Sequence, residues 1–325
     1  MKKVVIFTFG GGRTCNQMLN CVHLLSVRYA TDGEVEIQSL PAQEFEELYP
    51  GLVRELSAKR DRFLQIIVWV TLFVSRLHPR LRRKLLECWL PGVLHLIMPA
   101  FGVAWIGVVN DQSKWIRGHR LGSTSLFDLL TDRRLNGCQR IALGGWGVRD
   151  WPLALRYREK IGALIRDNNP HYLAASRYLK SRRRQGAQLI GVLIRQTDYR
   201  RWQKGEYFYQ TKEYVEFMHK IAQPTAPQFL VASDEVQNMQ AFLGLDVILA
   251  SGREVGSGHY MESFFELALC DKILSPPSSF ALMAAYVGSG TLLKVPGRQN
   301  HCAGAPIKEM PIEASWHDED FSKVS

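Results

Sequence analysis

The stretch GVLIRQTDYRRW, Gly191 to Trp202, opens as an unbroken apolar run and then turns abruptly into Arg195, Asp198, Arg200 and Arg201. A continuous hydrophobic run without polar alternation is the pattern of a parallel strand buried on both faces. In open α/β sheets ligands gather outside the carboxyl ends of such strands, so an arginine at that place is a candidate ligand contact. The competing reading is a surface arginine paired with Asp198, an arrangement that contributes little to stability.

Working outward, FLVAS, DVILA and KILS repeat the strand pattern, separated by helical periodicity near Thr211–Ile221, Glu235–Leu243 and Met261–Leu269, with a last helix near Ser279–Tyr286. Strands alternating with short helices predict parallel βαβ units. The front of the chain has the same grammar: a strand in KKVVIFTF, a glycine turn in GGGRT, and a helix over Cys15–Tyr29. A further strand runs into a glycine turn in IALGGWGVRDW (141–151), and residues 152 to 180 carry Leu, Tyr and Ile at helical spacing. The charged segment SRRRQGAQ (181–188) lacks apolar periodicity and reads as a linker. The expected fold is therefore α/β, with two Rossmann-type parallel-sheet domains over residues 1–180 and 181–311, a cleft between them holding the site, and a loosely ordered tail over 312–325.

The chain's 325 residues can support two cores. Its 46% hydrophobic and 22% charged content is that of an ordinary globular protein. Cys15, Cys21, Cys88, Cys138, Cys270 and Cys302 form no CxxC pair and no zinc spacing, so neither a disulfide framework nor a structural metal is expected, and a reducing cytoplasmic setting fits. The net charge of +10 predicts attraction to an acidic partner. Nucleic acid is disfavoured, because the arginines are not interleaved with aromatics on one element. Two apolar segments, 63–75 and 90–109, flank the basic RLHPRLRRK; residues 62 to 109 read as a helical insertion, either buried or lying on the anionic face of a membrane.

Two more pieces point to an anion. In CDKILSPPSSFALMAAYVG (270–288) a Pro-Pro turn precedes Ser278 and Ser279 at the start of an apolar helix. Such a start presents unpaired N–H groups and the positive end of the helix dipole, although serine there can equally be a simple N-cap. In GGGRTCNQM (10–18) Gly11 and Gly12 sit in a βα turn and Asn16 in the helix that follows, without the spacing of either common nucleotide-binding glycine motif.

Taken in order, GGGRTCNQM resembles a GG-x-GNQM turn, GVLIRQTDYRRW an HxRRGDY motif, FLVASDE the strand with SD/SN that follows it, and SPPSSFALMAAYVG the SSFSxWAA segment of bacterial family-11-like (α1,2-type) fucosyltransferases. That group lies within the superfamily of α1,2-, α1,6- and protein O-fucosyltransferases. The resemblance spans both halves of the chain and leaves residues 32 to 140 unmatched. It implies a GT-B-like fold, GDP-fucose as donor, a glycan acceptor, inversion at the anomeric carbon, and neither cofactor nor metal. Arg195 then holds the donor's β-phosphate together with Ser278 and Ser279, Asp198 holds Arg195, Gly11, Gly12 and Asn16 line the donor site, Glu262 meets the base, and His259 contacts the donor. Leu193, Gln196 and Thr197 replace the motif's histidine, second arginine and glycine, and Ser263 stands where an aspartate is common. The lost histidine leaves a different sugar nucleotide, or a non-catalytic nucleotide- or glycan-binding relative, as alternatives.

The DxD-type run, Asp318-Glu319-Asp320, lies in the acidic tail away from any strand, so the charge of the leaving diphosphate falls to Arg195. Asp198, Glu206 and His259 are open candidates for the general base. The expected place of action is cytoplasmic, peripheral at the inner membrane, in polysaccharide biosynthesis.

Overall fold

The computed structural model describes residues 3–9, 14–39, 48–56, 103–110, 113–116, 119–121, 125–131, 140–145, 149–222, 226–252, 256–298 and 307–312. The chain divides into two compact units, Met1–Ile165 and Arg166–Ser325.

The first unit contains β1 (Lys3–Phe9), α1 (Thr14–Ala30), β2 (Val35–Ser39), α2 (Pro50–Leu56), β3 (Val103–Asn110), β4 (Ser113–Ile116), β5 (His119–Leu121), α3 (Leu126–Thr131), β6 (Arg140–Gly145), α4 (Trp151–Arg156) and α5 (Arg158–Arg166), the last ending where the units divide. Its sheet runs β2-β1-β6-β3-β4-β5, parallel from β2 to β3 and antiparallel beyond. Residues 103–109 were expected within a helical insertion; with Asn110 they form β3, which pairs in parallel with β6. The sequence VAWIGVV is rich in β-branched residues, which favour strands, and the ladder satisfies its backbone groups. The rest of the expected insertion, like the 313–325 tail, lies outside the described residues.

The second unit contains α6 (Pro170–Lys180), β7 (Leu189–Ile194), α7 (Thr211–Ala222), β8 (Gln228–Ser233), β9 (Val247–Leu249), α8 (Tyr260–Ala268), β10 (Lys272–Ser275), α9 (Ser279–Val287), β11 (Thr291–Lys294) and β12 (Lys308–Met310). The strand order is β12-β11-β10-β7-β8-β9, with only the β11/β12 pairing antiparallel. β7 is buried at all six positions, as its unbroken apolar run requires of a central strand. On one face Ile190, Val192 and Ile194 pack with Tyr214, Phe217 and Met218 of α7. On the other, Gly191 lies beneath Leu267 of α8 and Cys270 just beyond it.

Several boundaries differ from those expected. α6 was assigned to the first domain, with the break after residue 180, yet it packs on α8 of the second unit: Tyr172 meets Phe265 edge-on at 5.5 Å, and the Tyr178 hydroxyl donates to the Leu249 carbonyl at 2.6 Å. Residues 181–188 are accordingly a loop within the second unit, tied down by Arg183–Asp271 at 2.8 Å and Arg184–Asp246 at 3.0 Å. The helix expected over 152–180 is three, broken at Tyr157 and again at Asn168, which takes φ +58, before Asn169 caps α6 ahead of Pro170. The helix expected over 235–243 shrinks to a 3-10 turn at Met239–Phe242 capped by Asn238.

A Cβ at Gly191 would lie 2.6 Å from Leu267 Cδ2 and 3.1 Å from Cys270 Sγ. Gly191→Val should therefore lower the unfolding free energy by about 1–3 kcal/mol through overpacking between β7 and α8. Urea unfolding of the two proteins measures it; an unchanged midpoint would mean that α8 does not press on this strand.

Candidate functional site

Within the second unit, β7 lies beside β10, but the chain leaves β7 toward β8 on one side and leaves β10 toward β11 on the other. Connections that diverge from adjacent parallel strands open a crevice at their carboxyl ends, the switch point at which α/β sheets bind ligands. Arg195 follows β7 there, and Pro276, Pro277 and Ser278 follow β10.

The Arg195 side chain is only 15% exposed. Its Nη2 donates to Asp198 Oδ1 at 2.7 Å, and its Nε lies 3.2 Å from Asp234 Oδ2 as an ion pair without hydrogen-bond alignment. Burial opposes the positive charge, but Asp234, Tyr199 and Asp198 outweigh it and hold the guanidinium above its ordinary pKa. It therefore stays a cation, with Nη1 engaged by no hydrogen bond among the described residues. Tyr199 is buried beside it, the guanidinium 5.1 Å from the ring, and its hydroxyl donates to the Pro277 carbonyl. That bond ties the loop after β7 to the turn after β10. Burial pushes the Tyr199 phenol up to about 12 against the pull of Arg195, so it remains a neutral donor.

Asp234 was read only as part of FLVASDE, yet it organises the site. The parallel register pairs Ile194 with Ser233, which sets Arg195 and Asp234 side by side at the strand ends. One Asp234 oxygen accepts from the Gln196 backbone N–H at 2.7 Å and the other from the Thr197 hydroxyl at 2.7 Å. The readable signal was a carboxylate closing an apolar run next to the arginine strand. Gln196, where the resemblance has a second arginine, is buried; its amide donates to the Tyr209 carbonyl at 3.0 Å and its oxygen accepts from Gln237 at 3.1 Å. Leu193 is likewise buried within β7.

Ser278 caps α9, its hydroxyl accepting from the Phe280 N–H at 3.3 Å, and Ser279 is the first residue of the helix. The capping reading of Ser278 therefore holds, at a helix start that follows β10. In the segment that follows β9, His259 caps α8 by accepting from the Met261 N–H at 3.2 Å, and its ring stacks on His171 of α6 at 4.4 Å. Burial, with His259 nearby, lowers the His171 pKa against the opposing pull of Glu262. Glu262 stands in the first turn of α8, with His171 Nδ1 4.0 Å away. Of the first-unit candidates, Asn16 lies half-buried in the first turn of α1, and Gly11 and Gly12 fall outside the described residues. Among the proposed bases, Asp198 is occupied with Arg195, and His259 with its cap.

No family model and no curated protein matches the chain. Solved structures do. Arabidopsis thaliana FUT1, as a mutant in complex with GDP, superposes with a TM-score of 0.54 at 11% identity, over 90% of this chain and 70% of that one. NodZ alpha-1,6-fucosyltransferase soaked with GDP-fucose gives 0.49 at 12% identity over 96% and 100%, and POFUT1 in complex with GDP gives 0.48 at 10% over 89% and 95%. The fold is of the GT-B type. Among the described residues no helix is long and apolar enough to cross a membrane.

The two carboxylates on Arg195 should differ in weight. Asp234→Ala strands the Gln196 N–H and takes from Arg195 its less exposed carboxylate, and should cost about 1–3 kcal/mol of stability, the scale for buried polar groups left without partners. Asp198 is 45% exposed, and Asp198→Ala should cost under about 1 kcal/mol. Parallel urea titrations separate them, and equal losses would show that Asp234 does not organise the loop.

Proposed function

We propose that the chain is a glycosyltransferase that takes GDP-fucose as donor and transfers fucose to a glycan with inversion, using Arg195 in place of a metal to neutralise the leaving diphosphate. The observation that carries this reading is the largely buried, permanently charged Arg195 at the β7/β10 switch point, where the Ser278-capped α9 follows the neighbouring strand. Guanidinium N–H groups in a planar fork match two phosphate oxygens at once, and a helix start adds backbone donors of the same polarity. FUT1, whose fold this chain shares, was solved with GDP.

The row of groups along the carboxyl edge supports a nucleotide lying across it. Taken in strand order from β9 through β8 and β7 to β10, the segments leaving the carboxyl edge carry His259 and Glu262, then Asp234, Arg195 and Ser278. Four neighbouring strands span about 14 Å at the usual spacing, enough for an extended nucleoside diphosphate. In this reading the base lies at the α8 end and the β-phosphate at Arg195. Charge builds on the bridging oxygen as the glycosidic bond breaks, so a donor already aimed there acts most strongly in the transition state. No cofactor or metal enters the reading, and the site works from the cytoplasmic side on a membrane-linked glycan precursor.

Arg195→Lys keeps the charge and loses the fork, and Arg195→Ala loses both. Each should reduce turnover of GDP-fucose by about 100- to 1,000-fold, with a smaller loss of GDP affinity. The assay is transfer or hydrolysis of GDP-fucose by wild type and both variants, with GDP binding measured in parallel. Near wild-type turnover in both would remove Arg195 from the diphosphate; GDP binding by wild type without any turnover would point to the non-catalytic relative.

A further inference from the structure

A carboxyl pair on α8, one member of it fully buried, lies outside the role given to Arg195. Glu262 and Glu266, one turn apart, both approach the hydroxyl of Ser251 in the loop after β9: Oγ is 2.9 Å from Glu262 Oε2 and 2.5 Å from Glu266 Oε1. The Ser251 N–H donates to Glu266 Oε2 at 2.9 Å. Gly258 closes back on Ser251, donating to its carbonyl at 2.8 Å. A Cβ at Gly258 would overlap both that carbonyl and Glu262 Oε2.

A proton count decides what these contacts are. A hydroxyl has one proton to donate, and an ionised carboxylate has none. If both glutamates were ionised, Ser251 Oγ could satisfy one of them and would face the other lone pair to lone pair. One carboxyl must hold a proton, and burial selects Glu266, which is wholly inaccessible, whereas Glu262 is partly exposed and has His171 nearby. The contacts then form a consistent chain. Glu266 Oε1–H donates to Ser251 Oγ, the Ser251 hydroxyl donates to Glu262 Oε2, and Glu266 Oε2 accepts the Ser251 N–H.

We propose that Glu266 is a positioning residue: it holds a proton in the binding-competent state and, through Ser251, fixes both the backbone leaving β9 and an ionised Glu262. The inference rests on the donor reading above, in which Glu262 meets the base. An ionised carboxylate there accepts from adjacent N–H groups on the edge of a base, as guanine offers, and is mismatched with the ring-nitrogen acceptor of adenine.

The groups acting on Glu266 agree with this assignment. Desolvation by burial raises its pKa to about 7, Ser251 and Arg182 work in the opposite direction, and Glu262 adds to the rise. Tyr178 of α6, with Arg182 4.1 Å over its ring, and the Cys270 thiol, which donates to the Glu266 carbonyl, face it from the flanking segments. α9 meets α8 through Phe280 on Phe264, and β7 through Gly191. Because the folded-state pKa is raised, the stability tied to the proton is complete below the ordinary value of 4.5 and is lost as pH rises through about 7.

The test uses the full chain, with GDP as probe. Infrared spectra of the ligand-free protein should show a carboxylic C=O band that disappears as pH rises through neutrality and is absent from Glu266→Gln. GDP affinity of the wild type should fall by up to about tenfold per pH unit above neutrality, the limit for one linked proton. Glu266→Gln, whose amide can donate to Ser251 Oγ and whose oxygen can accept its N–H, should bind GDP with a flat profile in that range. Ser251→Ala should weaken GDP binding at all pH values while keeping the carboxylic band. Absence of a titrating band in the wild type, or an unchanged GDP profile in Glu266→Gln, overturns the proposal. Failure of every protein to bind GDP at any pH overturns the donor reading and the link to the base, while the infrared comparison alone still decides whether Glu266 holds the proton.

Discussion

The second unit is arranged around a buried guanidinium. Removing the Arg195 charge from water is costly, and the cost is tolerable only because Asp234 and Asp198 contact it and Tyr199 lies beneath it. Those contacts fix more than the arginine. Asp234 also holds the Gln196 N–H and the Thr197 hydroxyl, so the chain leaving β7 is pinned at three consecutive residues by one carboxylate on the next strand. Tyr199, the next anchor along, reaches the Pro277 carbonyl beyond β10. The two loops that bound the crevice therefore share one polar framework.

This framework explains why the departures from the fucosyltransferase motif do not dismantle the site. The motif's second arginine would fall at Gln196, whose side chain points into the interior between Tyr209 and Gln237. A neutral amide satisfies both partners there, whereas a guanidinium would bring a second charge into that interior. Leu193 lies within the buried strand, so the contact a histidine would offer a base must come from elsewhere on the edge. In the proposed reading that contact falls to Glu262, in the first turn of α8.

How much of this was legible in the sequence follows from which forces act locally. β7, β8, β10 and α9 were readable because a buried parallel strand and an apolar helix announce themselves in a single run of residues. Arg195 and Ser278 were readable because they close or open such runs. β3 was taken for helix because its apolar content, without its partner β6, does not distinguish the two. α6 was assigned to the wrong unit because what decides its place is packing on α8, far away in sequence. Asp234 and Glu266 were passed over for the same reason. Asp234 takes its contacts from strand register, and Glu266, which looks like a solvated helix residue, is buried through contacts with Ser251 that its own helix does not reveal.

One objection to an anion site at Arg195 is that two carboxylates flank a single cation. The geometry answers it. Asp198 is nearly half exposed, so water screens much of its charge, and Asp234 is the partner that counts. Asp234 approaches the Nε edge of the guanidinium and is held in place by the Gln196 and Thr197 donors. The pair then acts as an oriented dipole rather than a net charge, with its positive end at the Nη groups. The N-terminal end of α9 has the same sign at the neighbouring strand end. Dipoles fixed by the fold need not reorganise when charge develops on a leaving group, which is the property that a diphosphate-departure site requires and that a freely hydrated lysine would lack.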